Sequence, residues 1–345
     1  MNNLCRKIFI TSIVILLISM NGYCLADQKV YTWKMASIYN DPATETKGNA
    51  NGESQQLFVD LVKEKTNGQV IIKPFYGSVL GGNIELFEQV SRGQLEVYYG
   101  QPMSSIDPRF GAWNIPYLFR DYEEAKKIVG DQDGEFFKLS KQWIKDNHGE
   151  LLAIGGGIIR GFANNKHIVK SISDLKGLKL RTYQDPIVSL FWSKIVITQP
   201  LTYSEMYSAL QTKTVDAVDG PISMFLGSIG ELVNYYTDID WQWTTSSNLI
   251  VNEKTWAELP ESLQKLVQEA AVEAMAYQGA TQTKYVNEAY EVLEQERGYE
   301  ITRLTTEEKQ EWIDYARTLD EEIKSVIGED TFDSIMDAVQ SAREK

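Results

Sequence analysis

The stretch VIIKPFYGSVLGGNIELFEQVSRGQLEVYY, Val70 to Tyr99, reads in one pass as strand, turn, helix and strand. Val70 to Tyr76 is mostly β-branched and aromatic, Gly81-Gly82 turns the chain, and Ile84 to Ser91 has helical spacing with Gly93 as its stop. Leu95 to Tyr99 is the next strand. Upstream, Val30 to Met35 predicts a strand and Ser54 to Lys65 a helix, with Leu57, Phe58, Leu61 and Val62 on one face and Asn67-Gly68 closing it. A β-α-β-α-β rhythm of this kind predicts a parallel sheet covered by helices.

The rhythm resumes after a second apolar, glycine-rich strand, Leu151 to Ile159. Asp174-Leu175-Lys176-Gly177 turns into a strand at Leu178 to Thr182, a helix covers Pro186 to Lys194, and another begins near Tyr203. Two α/β lobes are the economical reading. From Pro260 to Gly298 there is no strong breaker, so the chain there is one helix of about 38 residues and about 57 Å, or two helices end to end. Thr305 and Glu308 form a capping box for a helix ending near Gly328, and Thr331 to Arg343 reads as a last helix.

The first 26 residues have the layout of a cleavable secretory signal. Arg6 and Lys7 precede a 13-residue apolar run, Ile8 to Met20, and Cys24-Leu25-Ala26 stands before Asp27. The run is short of the roughly 20 residues that cross a bilayer, so no stable membrane insertion of the mature chain is expected. Asn21, Gly22 and Tyr23 do not suit lipidation at Cys24. Cys5 and Cys24 both lie in the signal, so the exported chain is expected to hold no thiol or disulfide. Removing 26 of 345 residues leaves 319, past the size at which one core usually keeps growing.

Losing Arg6 and Lys7 with no acid takes the net charge from −14 to −16. That balance argues against a nucleic-acid partner. An anionic ligand would be repelled at long range, so its site needs locally concentrated positive charge. Chemistry for catalysis is sparse: the only histidines, His148 and His167, lack metal-ligand spacing, and there is no Gly-x-Ser-x-Gly elbow. Gly155-Gly156-Gly157-Ile158-Ile159-Arg160-Gly161 misses dinucleotide spacing by one residue, and suits a strand crossing close to another backbone. No enzyme, cofactor or metal is expected.

Tyr76-Gly77-Ser78-Val79-Leu80-Gly81-Gly82, Ile115 to Tyr122, Asp174 to Arg181, Tyr203 to Gln211 and Val215-Asp216 together resemble the substrate-binding proteins of tripartite ATP-independent periplasmic (TRAP) transporters, of the DctP type. The similarity runs in order along the mature chain. It implies a two-lobed periplasmic binding protein fold of the α/β class, whose hinge-closing lobes are joined by crossing strands and a long helix. On that plan residues 27–156 with about 247–280 form one lobe, 157–246 with about 281–304 the other, and 305–345 are helices packing on both. It also implies a periplasmic monomer that binds a small organic acid and delivers it to TRAP membrane permease subunits. The alternatives are a ligand-presenting sensor subunit and the binding protein of an ATP-driven importer.

Arg181 matches the family arginine that pairs with the substrate carboxylate, and Arg160 resembles a second such arginine. A guanidinium suits this role because its planar fork matches two carboxylate oxygens and stays charged without water. Tyr203 fits the family aromatic beside the ligand. At Ala217-Val218-Asp219-Gly220-Pro221 the family's ligand-touching asparagine is replaced by Gly220, and Gln101 and Ala36 depart from sialic-acid-binding members. Alternation puts Trp241 and Trp243 on one strand face, and with Tyr98 and Tyr99 they either line the cleft or pack as core or hinge. Asp219 is included as a neighbour of the ligand. If the aromatics line the cleft, the ligand is an acid with a sizeable apolar or aromatic body.

Overall fold

The computed structural model describes residues 29–44, 49–244 and 247–344; the predicted signal and both cysteines lie outside them. The opening stretch folds as read. Strands β1 (Tyr31–Ala36), β2 (Val70–Phe75) and β3 (Val97–Gly100) are parallel, with helices α1 (Ala50–Lys65) and α2 (Asn83–Ser91) between them. Helix α1 begins four residues earlier than its apolar spacing suggested, because Asn49 caps it by accepting the Gly52 N–H at 3.0 Å.

Two further helices, α3 (Tyr122–Gly130) and α4 (Glu135–Asp146), precede the interlobe region. The single strand expected over Leu151 to Ile159 is two strands in two sheets: β4 (Gly149–Ile154) closes the first and β5 (Ile158–Asn164) opens the second. The second sheet adds β6 (Lys179–Thr182), helix α5 (Pro186–Ser193), β7 (Ile197–Pro200), α6 (Met206–Gln211), β8 (Ala217–Gly220) and β9 (Tyr235–Thr244). The chain then returns to the first sheet as β10 (Asn248–Asn252), which inserts antiparallel between β3 and β4. With β11 (Glu300–Arg303) the sheet orders are β2-β1-β3-β10-β4 and β11-β9-β5-β8-β6-β7. Two sheets joined by two crossings make a two-lobed α/β fold.

After the short helix α7 (Glu253–Ala257), α8 (Glu261–Glu291) runs unbroken for 31 residues, about 46 Å at 1.5 Å each, and ends in a π turn at Val292–Glu296. One continuous helix is therefore the outcome, shorter than the stretch free of breakers. Its first half buries Leu263, Val267, Ala270 and Ala274 in the core beneath the first sheet, and Ala289 belongs to a core of the second. Between these, Gln282 donates to Ser223 Oγ at 2.7 Å. The Thr305–Glu308 capping box forms at the start of α9 (Thr306–Arg317), with both reciprocal hydrogen bonds. The helix expected to reach Gly328 instead breaks at Thr318 and Leu319, and α10 (Asp320–Ile327) and α11 (Glu329–Arg343) complete the chain.

The glycine-rich segment does let backbones approach closely. A Cβ on Gly156, in the β4–β5 crossing, would stand 2.8 Å from the Gly279 Cα of α8. A Cβ on Gly279 would meet the Gly156 Cα at a more tolerable 3.4 Å. Gly156→Ala is therefore expected to lower the unfolding free energy by about 1–3 kcal/mol. Gly279→Ala should be near neutral, since about 1 kcal/mol of helix propensity offsets the tight contact. Urea unfolding checks the asymmetry, and equal effects would refute it.

Candidate binding site between the lobes

A cavity of 580 Å³ lies between the sheets, walled by Ile38, Asn51, Asn83 and Gln101 from the first lobe and by Arg160, Arg181, Tyr183, Leu201, Tyr203 and Met224 from the second. Arg181 is the third residue of β6, held in register beside Val218 of β8 and Gln199 of β7. It is 3% exposed, and its Nε and Nη2 donate to the Leu201 carbonyl at 3.2 and 2.8 Å. Among the described residues no carboxylate lies within ion-pair distance of it. Burial, with repulsion from Arg160 added, lowers its pKa from 12.5 to about 10.

Arg160, on β5, is held differently. Its Nη2 reaches the Asp219 carboxylate at 3.0 Å and the Asp219 carbonyl at 2.7 Å, and its Nε lies 3.2 Å from Oδ1. Trp241 Nε1 donates to the same Oδ1 at 3.1 Å, and the guanidinium stacks 5.0 Å from the Tyr183 ring centre. Burial opposes the charge on Arg160, but Asp219 together with Tyr183 and Tyr236 outweighs it and raises the guanidinium pKa. The two arginines thus stand in one wall with different partners: one is neutralised, the other is not.

Gln101, at the end of β3, faces the cavity with both amide groups engaged. It donates to Asn114 Oδ1 at 2.9 Å and accepts from Thr244 at 3.0 Å. Gln242 and Tyr183 donate to the same Asn114 oxygen at 2.7 and 3.0 Å, so a buried polar network ties the crossing strand β9 to both sheets. Tyr203 lines the mouth of the cavity and is 37% exposed.

Several expected residues stand behind the wall instead. Tyr99 is fully buried, its hydroxyl 2.7 Å from Ser54 Oγ. Trp241 stacks on Phe191 at 4.4 Å, and Trp243 donates to the Gly156 carbonyl at 2.9 Å while Phe119 and Phe136 pack edge-on against it. These rings are core, because the residue between them, Gln242, takes the face turned to the polar network. Tyr98 is likewise buried, donating to Asn83 Oδ1 at 2.8 Å. The aromatic-lined cleft, one of the two readings from the sequence, is not formed. Asp219 is reached only through Arg160 and Trp241. Gly220 is also covered: a Cβ there would be 2.2 Å from Met224 Cε, so Met224 fills the space a side chain at 220 would take.

The profile of the bacterial extracellular solute-binding protein family 7, DctP, matches residues 43–325. This chain belongs to family 7. An uncharacterized protein of Haemophilus influenzae is 30% identical over 248 residues, 70% of this chain and 72% of that one. The C4-dicarboxylate-binding periplasmic protein DctP of Rhodobacter capsulatus is 25% identical over 290 residues, covering 82% and 85%. A TRAP periplasmic solute-binding protein of Chromohalobacter salexigens, solved with bound D-glucuronate, superposes with a TM-score of 0.81 at 23% identity over 90% and 99% of the two chains.

The cavity of this family 7 protein contains residues that sequence reasoning passed over. Asn51 and Asn83 lie in the first turns of their helices, positions where an asparagine reads as structural, and Glu85 reads as an acid facing its own helix N-terminus. Met224 sits in a short 3₁₀ turn, Ile222–Leu226, with no periodicity to mark it. Both histidines lie elsewhere: His148 pairs with Glu253 at 2.8 Å and His167 Nε2 is 2.9 Å from the Asp174 carbonyl. Removing the Asp219 partner would leave Arg160 as an uncompensated buried charge, so Asp219→Ala is expected to cost about 3–5 kcal/mol in chemical denaturation. A loss below about 1 kcal/mol would mean that the pair is solvated.

Proposed function

We propose that this chain is an extracytoplasmic solute receptor that holds a small organic acid between its closing lobes, with Arg181 as the carboxylate anchor, and hands it to a TRAP permease driven by an ion gradient. The observation that carries this reading is a buried guanidinium at the cavity wall that no carboxylate among the described residues neutralises. Family membership and the small acids named for its relatives support it; they favour it over the importer and sensor alternatives. A receptor without catalysis agrees with a wall whose ionisable groups are Arg160, Arg181, Glu85 and tyrosines.

The energetics favour an anion. Lowering the Arg181 pKa from 12.5 to about 10 corresponds to about 3 kcal/mol spent on burying the charge, at 1.36 kcal/mol per unit. Because the folded value is depressed, this penalty applies fully at every pH below about 10 and eases only above it. A carboxylate supplies the missing counterion and offsets the penalty. Carboxylate affinity is then flat through neutral pH and falls as the pH rises through about 10.

Arg181→Met separates this role from a structural one. The variant is expected to lose about 2–5 kcal/mol of acid binding, about 30-fold to several thousand-fold in affinity. Its ligand-free stability should be unchanged or higher, because the buried charge has gone. Calorimetry and thermal unfolding read both quantities, and unchanged acid affinity would sink the assignment. Export with cleavage between Ala26 and Asp27 belongs to the same proposal. Intact mass of the periplasmic form should correspond to a chain beginning at Asp27; a retained or lipid-modified Cys24 would contradict it.

A further inference from the structure

We propose that the ligand carries a single carboxylate on a neutral, hydroxylated body, and that Glu85 helps exclude a second carboxylate. This rests on Arg181 being the carboxylate anchor. Among the described residues, Arg160 and Arg181 are the lysine or arginine side chains in the cavity wall, and Arg160 is committed to Asp219. One of these two cations remains unneutralised.

Among the described residues the first-lobe wall offers no second cation. Its positive features are the N-termini of α1, beside Asn49 and Asn51, and of the nine-residue α2, where Gly82 and Asn83 face the cavity. Both are filled from within: the Asn49 side chain accepts the Gly52 N–H at 3.0 Å, and the Glu85 carboxylate accepts the Gly82 N–H at 3.0 Å. A second ligand carboxylate on this side would meet a negative charge and find no cation. Closing the lobes over it would strip its water without replacing it, which is the costly case for a buried ion.

Neutral hydroxyl groups find better partners in the same place. Asn83 uses its Oδ1 to accept from Tyr98, and Asn51 uses its Oδ1 to accept from Tyr99 and from Gln278, both at 3.3 Å. Both amides keep an uncommitted NH2, a donor that matches a hydroxyl oxygen. Opposite them Met224 replaces whatever polar group a side chain at position 220 would bring. The cavity's 580 Å³ has room for a six-carbon acid, so volume does not exclude a diacid. Charge does.

Calorimetry on the mature protein tests this with matched pairs sharing a carbon skeleton: D-gluconate and D-glucarate, D-galactonate and galactarate, D-erythronate and tartrate, and butyrate and succinate as the hydroxyl-free pair. The tightest monoacid should be hydroxylated and bind about 100-fold or more tighter than its own diacid, within the range for an unpaired buried charge. Glu85→Gln, which keeps a hydrogen-bond acceptor for Gly82, should narrow that gap several-fold, with the gain falling on the diacid. A diacid binding as tightly as its monoacid, butyrate matching the hydroxylated monoacids, or a gap untouched by Glu85→Gln would overturn the proposal while leaving Arg181 as anchor. Failure of every acid to bind would overturn the anchor reading, and this inference with it.

Discussion

A guanidinium with no carboxylate beside it is expensive to bury, and the second lobe is organised around making that tolerable at Arg181. Strand β6 runs parallel between β7 and β8, which fixes the position of the side chain, and the Leu201 carbonyl beyond β7 takes two of its donors. Arg160, two strands away across β8, would add repulsion if left bare. Asp219 offsets part of that cost, and Trp241 fixes the Asp219 carboxylate in turn. Deleting Asp219 would therefore disturb both arginines, one by lost pairing and the other by gained repulsion.

Positioning such a charge at an interlobe surface requires that the chain cross between the sheets without filling the space. The glycines after β4 do so, and α8 runs alongside them as a continuous strut. The contact of Gly156 with Gly279 keeps the strut close to the crossing. Near the cavity hydrogen bonds join the lobes, Gln282 to Ser223, Ser104 to Asp185 at 2.5 Å, and the amide network on Asn114, beside an apolar core that runs from the first sheet into the second. The polar contacts can exchange partners with water when the lobes separate. Asp185, whose pKa burial raises, also caps α5 through the Ile187 and Val188 N–H groups.

What could be read from the residues follows from what is local. Strand and helix alternation from Val70 to Tyr99 and the Thr305 capping box each depend on a few neighbouring residues and form as expected, and both arginines stand in the cavity wall. The run Leu151 to Ile159 misled because apolar content is continuous across it, while the change of sheet at Gly155 depends on a partner helix more than a hundred residues away. Trp241 and Trp243 misled for a related reason. Period-two alternation says which side chains share a face but not which face meets the cavity. A bulge between Arg160 and Phe162, where β5 pairs with β9, and the positive φ of 47° at Asp240 set that face.

Sign and location of charge give the last connection between composition and site. A chain with net charge −14 attracts no anion from a distance, so the long-range field contributes nothing favourable to acid capture. At physiological ionic strength, charges more than about 8 Å away are largely screened, which leaves recognition to the groups lining the cavity. Among the described residues the cavity wall presents one guanidinium without a carboxylate partner, one neutralised one and one acid. Discrimination between acids then comes from what the wall leaves unpaired when the lobes close. A carboxylate at Arg181 pairs two charges that would each be costly alone, and any further charge on the same ligand has no such partner.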